Sequence, residues 1–364
     1  MRIYRHEISN YRNIGHAELE FCDSVNVLFG MNGQGKTNIL ESIFLLSGAK
    51  SFRKSKDRDL IRNDEMVSII KDEFEAFGRK QQIELKINDD GRRASLNRGT
   101  QGPASKLAGS FLCSVFSPEH LSLVKGAPEI RRTFMDTLLC QISPGYLASL
   151  KLYTRLLIQK NNLLKDMRSI AAAYDLIEVF DQQLAEEGYK ITKMRYDLCS
   201  EIVKDYSEYY RSVSSSDEEV DFKYVSTLAD SNELSVETVL KTYKENQKED
   251  VIRGYCGAGP HRDDIYMTIN GQDMRVYASQ GQQRSAVLAL KMTEAEYMEK
   301  KTGEKPILLL DDVLSELDST RQDRLIEKLK GFQSVITCCD PNILKQKTIT
   351  KMFEVSKGEV SECI

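Results

Sequence analysis

The stretch Gly30-Met31-Asn32-Gly33-Gln34-Gly35-Lys36-Thr37 constrains this chain more than any other, because it fits G-x-x-x-x-G-K-T and both of its flanks suit that pattern. Before it, Val25 to Phe29 reads as a buried strand. After it, Ile39, Leu40, Ile43 and Phe44 recur at helical spacing from about Thr37 to Leu46. A strand, a glycine-rich turn and a helix in that order form a cradle for phosphate. The glycines let successive backbone N–H groups face phosphate oxygens, and the helix N-terminus adds positive potential. Lys36 is expected to reach the β- and γ-phosphates and the Thr37 hydroxyl to bind Mg²⁺.

The rest of the chain must complete this cradle. At 364 residues it has room for two domains or one large one. Residues 1–100 read mostly as short strands, with alternation through Val25-Asn26-Val27 and Ile83-Glu84-Leu85-Lys86-Ile87. From Tyr146 to Arg211 the pattern turns helical. Leu150, Leu157 and Leu164 lie seven apart with Tyr146 and Tyr153 beside them, which predicts a helical hairpin or short antiparallel bundle. The polar run from Ser212 to Asp221 reads as a solvated loop. A strand near Phe222 to Leu228, a helix over Leu234 to Lys248 and a strand at Ile265 to Ile269 follow. Asn270-Gly271 then predicts a type I′ turn and a return over Met274 to Ala278. The remainder alternates: helix Gln282 to Lys300, strand Ile307 to Asp311, helix Thr320 to Lys330, strand Ser334 to Cys338. That order is α/β with a parallel core sheet. It places one split domain over residues 1–145 and 222–364, with 146–221 as an inserted helical lobe.

A phosphate cradle needs a carboxylate for the metal. Ile307-Leu308-Leu309-Leu310-Asp311-Asp312 is a buried strand that delivers two at its C-terminal end. Asp311 is the expected Mg²⁺ ligand, and Asp312 the residue that faces the attacking water as polariser or base. With Lys36 they make the expected catalytic set. Ser279-Gln280-Gly281-Gln282 stands before a helix and about 28 residues ahead of the carboxylate strand, where it resembles the signature loop of ABC-type ATPases. The resemblance implies that Ser279, Gly281 and Gln282 contact a nucleotide held by another subunit on Gly30, Asn32, Gly33, Gly35, Lys36 and Thr37. Ser315-Glu316-Leu317-Asp318 matches the D-loop of that class. The long insertion is similar to SMC-type heads. So is Ser334-Val335-Ile336-Thr337-Cys338-Cys339-Asp340, which lacks the histidine that transporters usually carry. The implied fold is an ABC/SMC-type ATPase head with a mixed sheet plus the inserted lobe. Asp312 stands where Glu is usual, and its shorter side chain predicts slow hydrolysis.

At family level the resemblance narrows. Asn10-Tyr11-Arg12-Asn13, Ser51-Phe52-Arg53, Phe116-Ser117-Pro118-Glu119, Val124-Lys125-Gly126-Ala127-Pro128 with Arg131-Arg132, and Gly259-Pro260-His261-Arg262-Asp263-Asp264 resemble the RecF family across essentially the whole chain. That resemblance implies a cytoplasmic recombination-repair mediator. Such a protein dimerises on ATP, clamps double-stranded DNA and double-strand/single-strand junctions, and with RecR and RecO helps place RecA at single-stranded gaps. It also implies a weak, DNA-stimulated ATPase that uses ATP and Mg²⁺. Arg12 could stack on adenine as the corresponding region does in related heads, or be a surface arginine. His261 and Arg262 could line the composite site or build a structural loop. Glu119 occupies a stretch suited to the usual magnesium-contacting glutamine.

Charge alone names no partner. Lys+Arg of 51 against Asp+Glu of 55 leave a net charge of −4, so DNA contact requires a local patch. Lys50, Arg53, Lys54, Lys56, Arg58 and Arg62 supply one, with Arg53, Lys54, Lys56 and Arg58 at its centre. Arg92, Arg93 and Arg98 offer a second. No apolar stretch approaches the roughly 20 residues that cross a bilayer, and the charged start Met1-Arg2-Ile3-Tyr4-Arg5-His6 is unlike a signal peptide. The eight cysteines include no C-x-x-C pair and read as buried apolar thiols.

Overall fold

Alternating apolar and polar residues near the N-terminus form long antiparallel strands, and near-continuous apolar runs form short buried parallel ones. A computed structural model of the chain describes residues 1–166, 174–214, 217–340 and 351–363. In chain order, β1 (Arg2–Tyr11), β2 (Ile14–Glu20) and β3 (Val25–Phe29) precede helix α1 (Lys36–Leu45). Strands β4 (Ser68–Ala76), β5 (Arg79–Asn88), β6 (Gly91–Leu96), β7 (Gly102–Pro103) and β8 (Cys113–Phe116) follow. Next come α2 (Ser122–Lys125), α3 (Pro128–Ile142), α4 (Pro144–Asp166), α5 (Tyr174–Ser214), β9 (Val220–Val225) and α6 (Val236–Arg253). Then β10 (Asp264–Ile269), β11 (Gln272–Asp273), α7 (Met274–Tyr277) and α8 (Gln280–Thr302) lead to β12 (Ile307–Asp311), α9 (Ser319–Lys328) and β13 (Ser334–Cys338). A hairpin of β14 (Lys351–Ser356) and β15 (Glu359–Cys363) completes the order.

The chain divides into two compact units. One comprises Met1–Leu121, Glu208–Asp217 and Arg284–Ile364, the other Ser122–Ser207 and Glu218–Gln283. The first holds an antiparallel sheet ordered β2-β1-β4-β5-β6-β7 and a mixed sheet ordered β15-β14-β3-β13-β12-β8. In the mixed sheet β14, β3, β13, β12 and β8 run parallel, and β15 pairs antiparallel at the edge. Every residue of β12 and β13 is buried, which is why neither alternates in sequence. Ile8, Ile43, Phe74, Leu85 and Leu309 belong to one apolar cluster, so α1 shares its core with both sheets.

The second unit differs from the 146–221 lobe drawn from sequence: residues 122–145 and 222–283 group with it, and 208–217 group with the first unit. Its helix α4 buries Tyr146, Tyr153, Leu156 and Leu164, whereas Leu150 and Leu157 are only half-buried. The seam thus follows the tyrosines, whose hydroxyls find partners inside. Gly188 lies within α5 where an added Cβ would stand 3.2 Å from the Tyr243 hydroxyl and 3.5 Å from the Tyr153 ring. A helix interior accepts glycine there because the neighbouring aromatics come so close. The Asn270-Gly271 turn has positive φ at both residues, 49° and 76°, as a type I′ hairpin requires. Its return strand stops after two residues. The Asp273 carboxylate accepts the Arg275 N–H and starts a helical turn, so Met274 to Ala278 is not a strand. The run from Ser212 to Asp221 is helical to Ser214 and extended from Val220, and residues 215–216 lie outside the described residues. Among the described residues no helix is long and apolar enough to cross a membrane.

Candidate functional site

The glycine-rich turn joins β3 to α1, and its shape depends on glycine at two positions. Gly30 has φ 148° and would place a Cβ 2.2 Å from the Val355 carbonyl oxygen; Gly35 has φ 122° and packs against the Asn13 amide. Asn13 was quoted only within the Asn10–Asn13 resemblance, yet it braces the turn. Its Nδ2 donates to the Gln34 carbonyl at 2.9 Å, and its Oδ1 accepts from Asn38 Nδ2 at 2.7 Å. From the C-terminal hairpin, the Gly358 N–H donates to the same Gln34 carbonyl. Lys36, nine-tenths buried, turns its ammonium onto the Gly30 and Met31 carbonyls at 2.5 and 2.9 Å. Asn32 and Gly33 are exposed. The eight cysteines include four buried ones, but Cys339 is exposed with its Sγ 3.1 Å from Asn32 Oδ1.

Thr37 and Asp311, 274 positions apart in sequence, meet here. The Thr37 hydroxyl donates to Asp311 Oδ1 at 2.8 Å, and the Thr337 hydroxyl donates to the same oxygen at 2.9 Å. Burial pushes the Asp311 carboxyl above its ordinary range, and these two hydroxyls partly offset the shift. Asp312 follows with φ 50°; its N–H donates to Thr337 Oγ1 at 2.9 Å, and its Oδ1 is shielded without a hydrogen-bond partner among the described residues. Thr337 had no role in the sequence reading. Nothing within that apolar strand marks one hydroxyl as special until the strand pairing places it opposite Asp311.

Arg12 is held rather than free. Its guanidinium makes two bonds to Glu41, from Nε to Oε2 at 2.5 Å and from Nη2 to Oε1 at 2.8 Å, and Nη2 also reaches Ser55 Oγ at 2.6 Å. Glu41 is fully buried on α1 and accepts from the Tyr11 and Ser51 hydroxyls as well. The one sequence signal for this hub was that Glu41 is the only acidic residue of α1. Arg53, Lys54, Lys56 and Arg58 are all exposed on the following segment. Arg53 donates to Asn38 Oδ1 at 2.8 Å and lies close enough to lower the Asp311 carboxyl, which sets it beside the phosphate cradle. Of the second basic group, Arg92 is engaged by Asp57 at 3.2 Å and by the Ala49 carbonyl. Glu119 is exposed on a short turn after β8. Ser42, His6 and Asp72 line up in the order of a hydrolytic triad, but all three are buried beyond substrate reach.

Ser279, Gly281 and Gln282 lie in the other compact unit. Ser279 is exposed, and it forms a reciprocal cap at the start of α8: its N–H donates to Gln282 Oε1 at 2.6 Å, and Gln282 N–H donates to Ser279 Oγ. Gln282 Nε2 donates to Glu218. In the D-loop stretch, Asp318 caps α9 through the Arg321 N–H, and Ser315 Oγ donates to the Asp312 carbonyl. The Glu316 side chain lies outside the described residues. His261 is engaged within its own unit, whereas Arg262 is exposed. His261 bonds the Tyr153 hydroxyl at 2.8 Å and the Cys256 carbonyl at 3.1 Å, while Arg262 stacks over the Tyr255 ring.

A phosphate-binding turn, a carboxylate pair at the end of a parallel strand and a mixed plus an antiparallel sheet define the fold of an ABC/SMC-type ATPase head. Two SMC heads share it at the level of fold. The Pyrococcus furiosus head bound to the C-terminal domain of ScpA has a TM-score of 0.55 and 15% identity, covering 100% of this chain and 96% of that one. Another, bound to the C-winged helix domain of ScpA, gives 0.56 at 16%, covering 100% and 97%. The RecF/RecN/SMC N-terminal domain family matches residues 2–361. The DNA replication and repair protein RecF of Bacillus mycoides is 38% identical over 362 residues, covering 97% of this chain and 96% of its own. A RecF–ATP structure, described as a recombination mediator in the RecFOR pathway, has a TM-score of 0.92 and 34% identity, covering 100% of this chain and 98% of that one. This chain belongs to the RecF family.

Proposed function

We propose that the chain is a slow, DNA-stimulated ATPase of the cytoplasm that closes as a homodimer on ATP. In this reading it clamps duplex DNA and double-strand/single-strand junctions, and with RecR and RecO helps RecA onto single-stranded gaps. One observation carries the reading. Lys36, Thr37 and Asp311 converge in one compact unit, while Ser279 caps an exposed helix start in the other. ATP on Gly30 to Thr37 would then be closed over by Ser279, Gly281 and Gln282 of a second copy. Exposed apolar residues flank both halves, Met31 at 75% and Val276 and Tyr277 at 71% and 62%, and such residues suit a surface that becomes covered. A ligand touching both copies shifts the monomer–dimer balance because it binds the dimer better.

Thr37 and Asp311 offer the hard oxygen donors that Mg²⁺ prefers, and the buried Asp311 carboxylate suits a cation. When bound, Mg²⁺ would neutralise phosphate charge. Lys36 would leave the Gly30 and Met31 carbonyls for the phosphates, and Asp312 would orient the attacking water. Arg53, Lys54, Lys56 and Arg58 would neutralise DNA phosphates without reading bases. The test is light scattering with and without ATP and DNA on the wild-type chain and on Ser279→Arg. The variant is expected to bind nucleotide and remain monomeric. ATP-dependent dimers of that variant would refute the sandwich. A phosphotransfer screen separates the rival P-loop kinase, which has no use for Ser279 to Gln283.

A further inference from the structure

Asp311 and Asp312 are neighbours, and a strand continuing through both would point them to opposite faces. The chain avoids this by turning Asp312 into the left-handed region at φ 50°, a conformation that costs free energy for a residue with a Cβ. The Thr337 hydroxyl carries one proton, which it gives to Asp311 Oδ1; its lone pair accepts the Asp312 N–H. One oxygen therefore fastens the side chain of the first aspartate and the backbone of the second. Thr337 is fully buried in β13 in register with Asp311, and its β-branched side chain is stiff at χ1. The shielded Asp312 Oδ1 has no partner among the described residues; the backbone beneath it, not a hydrogen bond, sets its direction.

We infer that Thr337 is a positioning residue for hydrolysis: without touching nucleotide, it sets the direction of Asp312 through the bond to its N–H. The inference rests on the ATPase reading above. The test compares the wild-type chain with Thr337→Val, which removes both bonds at nearly constant volume, and Thr337→Ser, which keeps them. For Thr337→Val, binding of a fluorescent ATP analogue should stay within about threefold of wild type while kcat falls by about tenfold or more and KM moves little. Thr337→Ser should recover kcat to within about threefold. A Val variant with undiminished kcat, Val and Ser variants equally impaired, or parallel loss of binding and rate would each overturn the assignment. If Thr337→Val does not fold, Thr337→Cys, a poorer donor and acceptor, is judged by the same criteria. Absence of hydrolysis by the wild-type chain would overturn the ATPase reading as well; hydrolysis by wild type with an unaffected Val variant overturns the Thr337 assignment alone.

Discussion

Two Asp-Asp pairs in this chain have the same chemistry and opposite surroundings. Asp263 accepts from the Tyr224 and Ser226 hydroxyls and from both the N–H and the hydroxyl of Thr227, and Asp264 receives two bonds from the Arg131 guanidinium. Around them the Arg195 guanidinium bonds the Pro260 carbonyl, the Tyr146 hydroxyl and Asp136. By contrast, Asp311 receives two hydroxyls on one oxygen, and Asp312, on a left-handed backbone, keeps a shielded oxygen without a partner among the described residues. A saturated pair holds its own unit together, whereas an unsaturated, conformationally costly pair retains capacity for chemistry.

The contrast can be broken most sharply at Arg195. Arg195→Met should destabilise the second unit by about 3–5 kcal/mol, because Asp136 is left partly buried without its cation; urea unfolding measures this. An effect below about 1 kcal/mol, as for an exposed ion pair, would show that the network is not structural. At the other pair, Lys36→Ala should change ligand-free stability by less than about 1 kcal/mol. It should also erase the gain of about 2.7 kcal/mol expected for wild type at ATP a hundredfold above Kd, as read from melting temperatures. Gly259→Ala tests the saturated loop by sterics alone. Its φ is 136° and the new Cβ would lie 2.2 Å from the Tyr153 hydroxyl, so a loss of about 1–3 kcal/mol is expected in urea unfolding.

The smallest effect concerns pH. His261 bonds the Tyr153 hydroxyl and donates to the Cys256 carbonyl, and burial holds its pKa down to about 4. Unfolding frees the ring to titrate near about 6.5. Between those values the unfolded chain binds more protons, so stability falls as pH falls through that window and is fully present above it. His261→Gln keeps one donor and one acceptor without the titration, and should flatten the decline of the melting temperature on acidification. An unchanged slope would mean that another group sets it.

The phosphate cradle and the three strands β3, β12 and β13 were legible with their correct bounds, because an unbroken apolar run ending at a glycine turn or a carboxylate has few alternatives. Motif spacing likewise brought Lys36, Thr37 and Asp311 together. The residues that escaped were Thr337, Asn13 and Glu41, whose roles arise only from pairing across strands or between a strand and a helix. In the inserted unit, heptad spacing pointed to Leu150, Leu157 and Leu164 with Tyr146 and Tyr153 beside them, and of these leucines only Leu164 is fully buried. The packed seam runs through Tyr146, Tyr153 and Leu164, and the phenols are satisfied by Asp136, ten residues from Tyr146, and by Arg195 and His261, distant in sequence. His261 and Arg262 read equally well as site or scaffold; in the structure His261 is bonded to Tyr153 and Cys256, while Arg262 is exposed over Tyr255.

Glu41 ties the first hairpin, through Tyr11 and Arg12, to Ser51 at the root of the basic segment, and it does so from the helix that carries Lys36 and Thr37. Rotating that helix must drag the hairpin end and the segment root along, or else strand a carboxylate in the dry interior. The phosphate end of one helix and the root of an exposed basic segment thus share a single buried carboxylate as their fastening.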